Sequence, residues 1–187
     1  MTARFEQLAW AAIAALALGG FATASAPTAA ASKQELDADV RQATQELYKT
    51  SSAAKELAGR AAGMLVFPSI IKGGFVVGGE YGEGALLVDQ KTTGYYNIAS
   101  ASIGFQLGLQ KKSVVILFMT PDALAKFRAS DGWKAGVDGS VAIATLGTGG
   151  ALDTETAKKP IIGFVFSNKG LMYNLTLEGS KITKIEK

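Results

Sequence analysis

Glycine punctuates the middle of this chain and limits the folds that the chain can adopt. The sequence contains 22 glycines in 187 residues, about 12% against a typical ~7%. Glycine is costly inside helices and is tolerated in bulged, twisted or closely packed strands. Between Ala62 and Met119, short apolar runs alternate with glycine, and this pattern predicts consecutive strands. The central region is therefore predicted to form a β-sheet.

An amphipathic helix is predicted before this region. Ser32 and Glu35 have the spacing of a capping box, in which the serine hydroxyl and the glutamate satisfy each other's backbone amides. Behind them, six apolar residues fall on one helical face: Leu36, Val40, Ala43, Leu47, Ala54 and Leu57. We predict one helix that ends at Gly59 or Gly63 and packs its apolar face on the sheet.

A second helix and further strands complete the predicted fold. Thr120 and Pro121 have the sequence of an N-cap and a first helical residue. Pro68 is expected to end the first strand. The predicted strands are Met64–Pro68, Gly74–Gly79, Gly84–Val88, Tyr95–Gln110, Ser113–Met119, Ser140–Leu146, Ile161–Ser167, Gly170–Leu177 and Lys181–Ile185. This order predicts an α+β fold, with an N-terminal amphipathic helix and a second helix packed on a twisted, mainly antiparallel β-sheet or partly closed barrel.

The first 31 residues are predicted to be a secretory signal peptide. Arg4 supplies a positive charge, and Leu8–Phe21 is an apolar stretch of about 14 residues, shorter than the ~20 that cross a bilayer. Small-residue cleavage sites follow, the last of them at Ala29–Ala31. We therefore expect a periplasmic or secreted protein in which residues 32–187 form a single domain. An uncleaved interfacial anchor is the alternative.

The residue types that are missing limit the possible chemistry. The 187 residues contain no Cys and no His, which excludes a disulfide, a thiol nucleophile, a Ser-His-Asp triad and a His-ligated zinc site. The net charge is only +3, the basic residues are scattered, and no nucleic-acid-binding motif is present. We expect a protein that is not an enzyme and has no cofactor, no metal and no nucleic-acid partner.

Two carboxylates remain as candidates for catalysis. Glu80 and Glu83 lie in what we expect to be a glycine-rich turn, and a pair of carboxylates is the machinery of glycoside hydrolysis. Solvated charge on a turn is the ordinary alternative. The surrounding glycines lack the lysine and hydroxyl residue of a phosphate-binding loop.

Apolar and aromatic residues beside isolated lysines suggest a lipid-binding surface. Acyl chains need apolar area, and head-group phosphates attract ammonium groups. By this criterion we predict six lipid-binding residues: Phe67, Ile70, Phe75, Lys72, Lys111 and Lys112. The same pattern also occurs wherever a strand end leaves a core, so the residues alone leave both interpretations open.

Several motifs, taken in order, resemble the SYLF domain family. They are Ala61–Pro68, Lys72–Gly84, Ile103–Gly108, Met119–Leu124 and Ser167–Leu171. The resemblance runs from about Gln34 to Ile182 and implies a phospholipid-binding domain without a catalytic residue. Eukaryotic relatives recognise phosphoinositides, and some yeast relatives bind and bundle actin. Because this chain has a bacterial-type signal and no SH3 or FYVE module, we expect neither activity here.

The residues and the resemblance together lead to one main hypothesis. We expect an exported protein that binds anionic phospholipid or a membrane surface, with lysines at the head group. The alternative is a protein-interaction module of the cell envelope that has no lipid ligand.

Overall fold

The computed structural model describes residues 32–74, 77–103, 110–144, 152–167, 170–172 and 176–187. The predicted signal peptide lies outside the described residues. The helices are α1 (Lys33–Thr50), α2 (Ser52–Ala58), α3 (Pro121–Ala129) and α4 (Thr154–Ala157). The strands are β1 (Gly63–Gly74), β2 (Val77–Val88), β3 (Lys91–Ile103), β4 (Gln110–Phe118), β5 (Trp133–Lys134), β6 (Ala142–Ile143), β7 (Ile161–Ser167), β8 (Gly170–Leu171) and β9 (Lys181–Ile185).

Within these residues, nine strands form one curled sheet, a half-barrel. The strand order is β5-β9-β3-β2-β1-β4-β7-β6, and β8 pairs with β7. Every pairing is antiparallel except that of β6 with β7. The predicted α+β class with a mainly antiparallel, partly closed sheet is confirmed.

The predicted N-terminal helix is present but is broken once. Ser32 and Glu35 form the capping box, with Glu35 N–H donating to the Ser32 hydroxyl at 3.3 Å. At Ser51 the backbone is extended, and the serine hydroxyl accepts from Ala54 N–H to begin α2. A serine that caps well therefore divides the predicted helix in two. All six apolar residues of the predicted face are buried.

Strand β1 continues through Pro68, contrary to our prediction that the strand would end there. On the β2 side the register passes from Val66 paired with Ala85 to Ser69 paired with Glu83, so two β1 residues lie opposite Gly84. This is a β-bulge, and a bulge is where a central strand can accommodate a residue without an N–H. The carbonyl oxygen of Pro68 accepts a 2.8 Å hydrogen bond from the buried Ser113 hydroxyl.

The sheet packs on both faces, which we name by the helix that covers each. The α1 face packs against α1 and α2 through residues such as Val66, Ala85, Val115 and Phe164. The α3 face packs against α3 through a second set: Leu65, Phe67, Ile70, Leu86, Tyr96, Val114 and Ile116. On that face the Phe127 ring of α3 lies 4.7–5.8 Å from three aromatic ring centroids.

The strands of both meanders differ in part from the prediction. β2 is one strand where two were predicted, so the expected glycine-rich turn at residues 80–83 is extended backbone. Of the predicted strand at 140–146, only Ala142–Ile143 is a strand among the described residues. Ser167 and Gly170 pair as a hairpin would require, while the turn residues 168–169 lie outside the described residues.

Candidate functional site

A row of six residues crosses the part of the α1 face that α1 and α2 do not cover. Each residue belongs to one of six adjacent strands. Strand pairing aligns Lys111 with Ile71, Ile71 with Tyr81, Tyr81 with Ala99, Ala99 with Lys181 and Lys181 with Lys134. Paired residues on neighbouring strands point to the same side of a sheet. We call these six residues the exposed rung. At ~4.8 Å per strand it extends for roughly 24 Å along the curled sheet.

All six residues of the exposed rung are exposed to solvent. Ile71 is 46% exposed and Tyr81 51%, and the two lie side by side on β1 and β2. Lysines stand at both ends of the row. None of these three lysines forms an ion pair with a described residue. The rung is thus an apolar centre between unpaired cations.

The neighbourhood of the rung leaves its apolar centre accessible. The next row toward the β1–β2 connection contains Gly73, Gly79 and Ala101, whose small size cannot cover Ile71 and Tyr81. On the other side, the Tyr81 hydroxyl donates to Glu83 at 3.1 Å, and burial followed by the Glu83 charge raises the pKa of Tyr81. The phenol is therefore held neutral at physiological pH.

Acidic residues lie close to both ends of the rung. Asp39 and Glu46 of α1 line a cavity of about 360 Å³ that Lys111 and Lys112 also line. The two carboxylates lower the local positive potential, and neither forms an ion pair with Lys111. At the opposite end, the Asp138 carboxylate accepts a 2.6 Å hydrogen bond from the Lys134 backbone N–H, so both ends of the rung have an acidic residue close to a lysine.

Two of the predicted lipid-binding lysines lie on the opposite face of the sheet. Lys72 and Lys112 both contact Glu80, at 3.9 and 2.7 Å, and the three side chains are 24%, 15% and 17% exposed. One carboxylate shared by two lysines leaves this cluster with a formal charge of +1. The predicted set of lysines is thus divided: Lys111 joins the exposed rung, and the other two neutralise Glu80.

The predicted apolar contacts are not on the surface. Phe67 is 0% and Ile70 is 1% exposed, both inside the core on the α3 face. Phe75 lies outside the described residues. An acyl chain could reach Phe67 or Ile70 only if the core opened. The neighbouring Ile71 is the accessible apolar residue of this segment.

Glu80 and Glu83 point to opposite faces of the sheet. Three residues apart in an unbroken strand, they alternate sides. Glu80 contacts Lys72 and Lys112 on one face, while Glu83 accepts a 2.6 Å hydrogen bond from the Lys187 ammonium. This geometry does not support the hypothesis that the two carboxylates act together on a substrate.

Two further properties bear on the site. Among the described helices, none combines the length and the apolarity needed to cross a membrane. The same part of the chain contains no group of three acidic residues that could hold a metal ion.

Most of the exposed rung could not be found from the sequence. Ile71 and Tyr81 are apolar or aromatic residues in predicted strand regions, but the sequence does not show to which face of the sheet they point. For Ile71 that face depends on the bulge at Pro68, which the sequence did not predict. Lys134 and Lys181 join the rung only through the pairing of β9 with β3 and β5, which depends on contacts between distant segments.

A comparison with known proteins supports the predicted family. Residues 99–187 match the family model described as Ysc84, Las17-binding protein actin regulator. A search of the curated proteins finds no match to the chain. The matched range begins in β3, so it includes the middle and late motifs of the resemblance and not the glycine-rich opening. Residues 99–187 of the chain therefore match the Ysc84, or SYLF, family, as the sequence motifs predict.

Proposed function

We propose that this protein binds the surface of anionic phospholipid membranes through the exposed rung. The observation that supports the proposal most is the arrangement of Ile71 and Tyr81 between lysines in one row across the sheet. Apolar side chains can enter the interfacial region while ammonium groups on either side meet head-group phosphates. The match to the SYLF family is consistent with a binding role.

The expected strength follows from the same residues. Each lysine near an anionic surface contributes about 1 kcal/mol. Full burial of a side chain such as Ile contributes ~1.5–3 kcal/mol, so the half that remains exposed on Ile71 and Tyr81 adds roughly 1 kcal/mol each. The gross attraction of about 5 kcal/mol predicts reversible binding that weakens as salt screens the lysines.

The proposal includes where the protein works. The apolar N-terminal stretch followed by small residues supports export to the periplasm or beyond, where phospholipid surfaces are available. The lack of His and Cys supports a binding role without catalysis. N-terminal sequencing of the mature protein from the native host would test cleavage of the predicted signal peptide, and an intact Met1 would contradict that cleavage.

Vesicle cosedimentation tests the membrane proposal. The protein should pellet with vesicles of phosphatidylcholine mixed with phosphatidylglycerol, and much less with phosphatidylcholine alone. The double variant Lys111→Gln/Lys181→Gln should bind about 30-fold more weakly, because two lysines contribute about 2 kcal/mol. The matched control is Lys126→Gln/Lys158→Gln, which removes the same charge from lysines that are 73% and 66% exposed elsewhere.

The possible outcomes separate the hypotheses. Equal loss of binding in the two double variants would indicate a general effect of net charge and would contradict a site at the rung. Negligible pelleting of the wild type with either vesicle would reject membrane binding altogether. In that case the protein-interaction module becomes the better hypothesis, and the family description, which names Las17 binding and actin regulation, gives protein partners as the next class to test.

A further inference from the structure

A second surface on the α1 face lies at the other end of strand β2. Tyr81 of the exposed rung and Leu87 are six residues apart on one strand, or about 20 Å at ~3.3 Å per residue. At Leu87 a cavity of about 610 Å³ opens between the helices and the β2–β3 turn. Binding pockets for small molecules are typically ~300–1,000 Å³.

This cavity is lined by side chains at the edge of the α1-face core, where the core meets solvent. Five partly buried side chains that pack against that core line it: Tyr48, Ala58, Ala61, Met64 and Leu87. The Tyr48 hydroxyl lies 3.8 Å from the Met64 sulfur, a weak acceptor, and burial raises the pKa of Tyr48. This end of the surface therefore offers apolar contacts and a neutral phenol.

A basic cavity of about 620 Å³ adjoins the apolar one. Arg41 and Gln90 line both cavities, so the two adjoin at these residues, and together we call them the groove. Five cations line it, Lys33, Arg41, Lys91, Lys184 and Lys187, and Lys187 pairs with Glu83. The other four exceed the two lining carboxylates, Asp37 and Glu186, by a formal charge of +2. Asp37 already accepts hydrogen bonds from the Thr92 and Tyr95 hydroxyls at 3.0–3.1 Å. The cations therefore have capacity for an additional anion.

The turn beside the groove has an unfavourable backbone. Asp89 and Gln90 have positive φ angles of 50° and 62°. A two-residue turn of this kind favours Asn-Gly, because a side chain at the second position is strained. Both side chains line the apolar cavity, and Gln90 also lines the basic one. The turn thus places Gln90, despite its positive φ, at the junction of the two cavities.

We infer that this groove binds a single anionic amphiphile with one acyl chain. The chain occupies the apolar cavity, and the acidic head group meets Arg41 at the junction of the two cavities. A phosphate and a carboxylate head group share this chemistry. The inference does not depend on the membrane-binding role of the exposed rung, because the two sites share no residue.

Isothermal titration with n-dodecyl phosphate, below its critical micelle concentration, tests the inference. The wild type should bind it with saturation, should bind n-dodecyl maltoside more weakly because that head group is uncharged, and should show no binding of inorganic phosphate. Sodium dodecanoate shows whether the site prefers phosphate or carboxylate. Absence of saturable binding for both anionic amphiphiles would overturn the inference.

Two variants locate the ligand in the groove. Arg41→Gln removes the cation at the junction and should weaken binding of dodecyl phosphate about tenfold or more. Ala58→Leu fills the apolar cavity from a helix and should weaken it similarly. Arg128→Gln on α3 removes the same charge on the opposite side of the sheet and should have no effect. Unchanged affinity in Arg41→Gln, which alters only an exposed side chain, would overturn the inference even if Ala58→Leu disturbs folding.

The rung variant separates this inference from the proposed function. Lys111→Gln/Lys181→Gln should keep full affinity for dodecyl phosphate, and Arg41→Gln should keep most vesicle binding. Loss of dodecyl phosphate binding in the rung variant would place the amphiphile on the rung and overturn the groove site.

Discussion

Replacing Gly84 by alanine should destabilise the protein strongly, because the β1 bulge leaves no room for a side chain there. A Cβ on Gly84 would lie 2.6 Å from Cδ1 of Phe67 and closer still to the Val66 carbonyl oxygen. Phe67 is fully buried, and Val66 belongs to a strand that is paired on both sides. Neither group can move by a simple side-chain rotation.

The magnitude follows from this lack of freedom. Overpacking a core costs about 1–3 kcal/mol and occasionally more, and a clash with backbone belongs at the upper end. We expect Gly84→Ala to lower the free energy of unfolding by about 3 kcal/mol. For a chain of this size each kcal/mol lowers Tm by ~2–4 °C, so Tm should fall by roughly 6–12 °C in thermal unfolding followed by circular dichroism.

Gly79→Ala in the same strand is the matched control. Among the described residues, its Cβ would meet only the Ser100 carbonyl oxygen at 3.6 Å, an ordinary contact. Because glycine is unfavourable inside a strand, this variant should be neutral or more stable by about 0.5–1 kcal/mol. If Gly84→Ala unfolds at the same temperature as Gly79→Ala, then a Cβ at position 84 fits beside the bulge without a clash, and the reasoning is refuted.

Three further variants test other features of the fold. Ser113→Ala removes the buried hydroxyl that donates to the Pro68 carbonyl at 2.8 Å and should cost about 1–2 kcal/mol in urea unfolding; an unchanged midpoint would mean that the hydrogen bond does not stabilise the bulge. Burial, then the Asp37 carboxylate, raises the pKa of Tyr95, so the neutral phenol contributes stability that is present below about pH 10 and lost as pH rises through the folded-state pKa. Urea midpoints at alkaline pH should therefore decline less in Tyr95→Phe than in the wild type, and parallel declines would contradict this assignment. Gln90→Gly should relieve the positive φ and raise stability by about 0.5–1 kcal/mol, while its dodecyl phosphate affinity falls; lower stability would show that the turn is not strained.

Local signals in the sequence were sufficient for the starts of α1 and α3 and for the fold class, whereas the break at Ser51 and the four-residue helix α4 were not predicted. The capping box at Ser32 and the Thr120–Pro121 start of α3 each involve residues within one helical turn, so no tertiary contact is needed to recognise them. The strand boundaries were predicted wrongly where they depend on a residue in another strand. Pro68 has the ordinary signal of a strand end, and only its position opposite Gly84, in another strand, makes it tolerable inside β1.

The bulge also explains why the site was predicted only in part. In a regular strand, Phe67 and Ile70 would point to opposite faces, since they are three residues apart. The extra residue at Pro68 brings both to the α3 face, and it shifts Ile71 to the α1 face and Lys72 away from it. An insertion of one residue into a strand reverses the face of the sheet to which every later side chain of that strand points. The sequence segment was therefore identified correctly, whereas the exposed members within it were not.

Side-chain alternation also decides which lysines are available to an anion. Adjacent in sequence, Lys111 and Lys112 point to opposite faces, and only Lys112 meets Glu80, which it shares with Lys72. An anion that approached Lys72 or Lys112 would compete with a carboxylate already held at 2.7 Å from one of them. One that approached Lys111 or Lys181 would displace only water, because neither lysine pairs with a described carboxylate. The unpaired lysines on the α1 face, rather than the number of lysines in the segment, thus determine where this protein attracts negative charge.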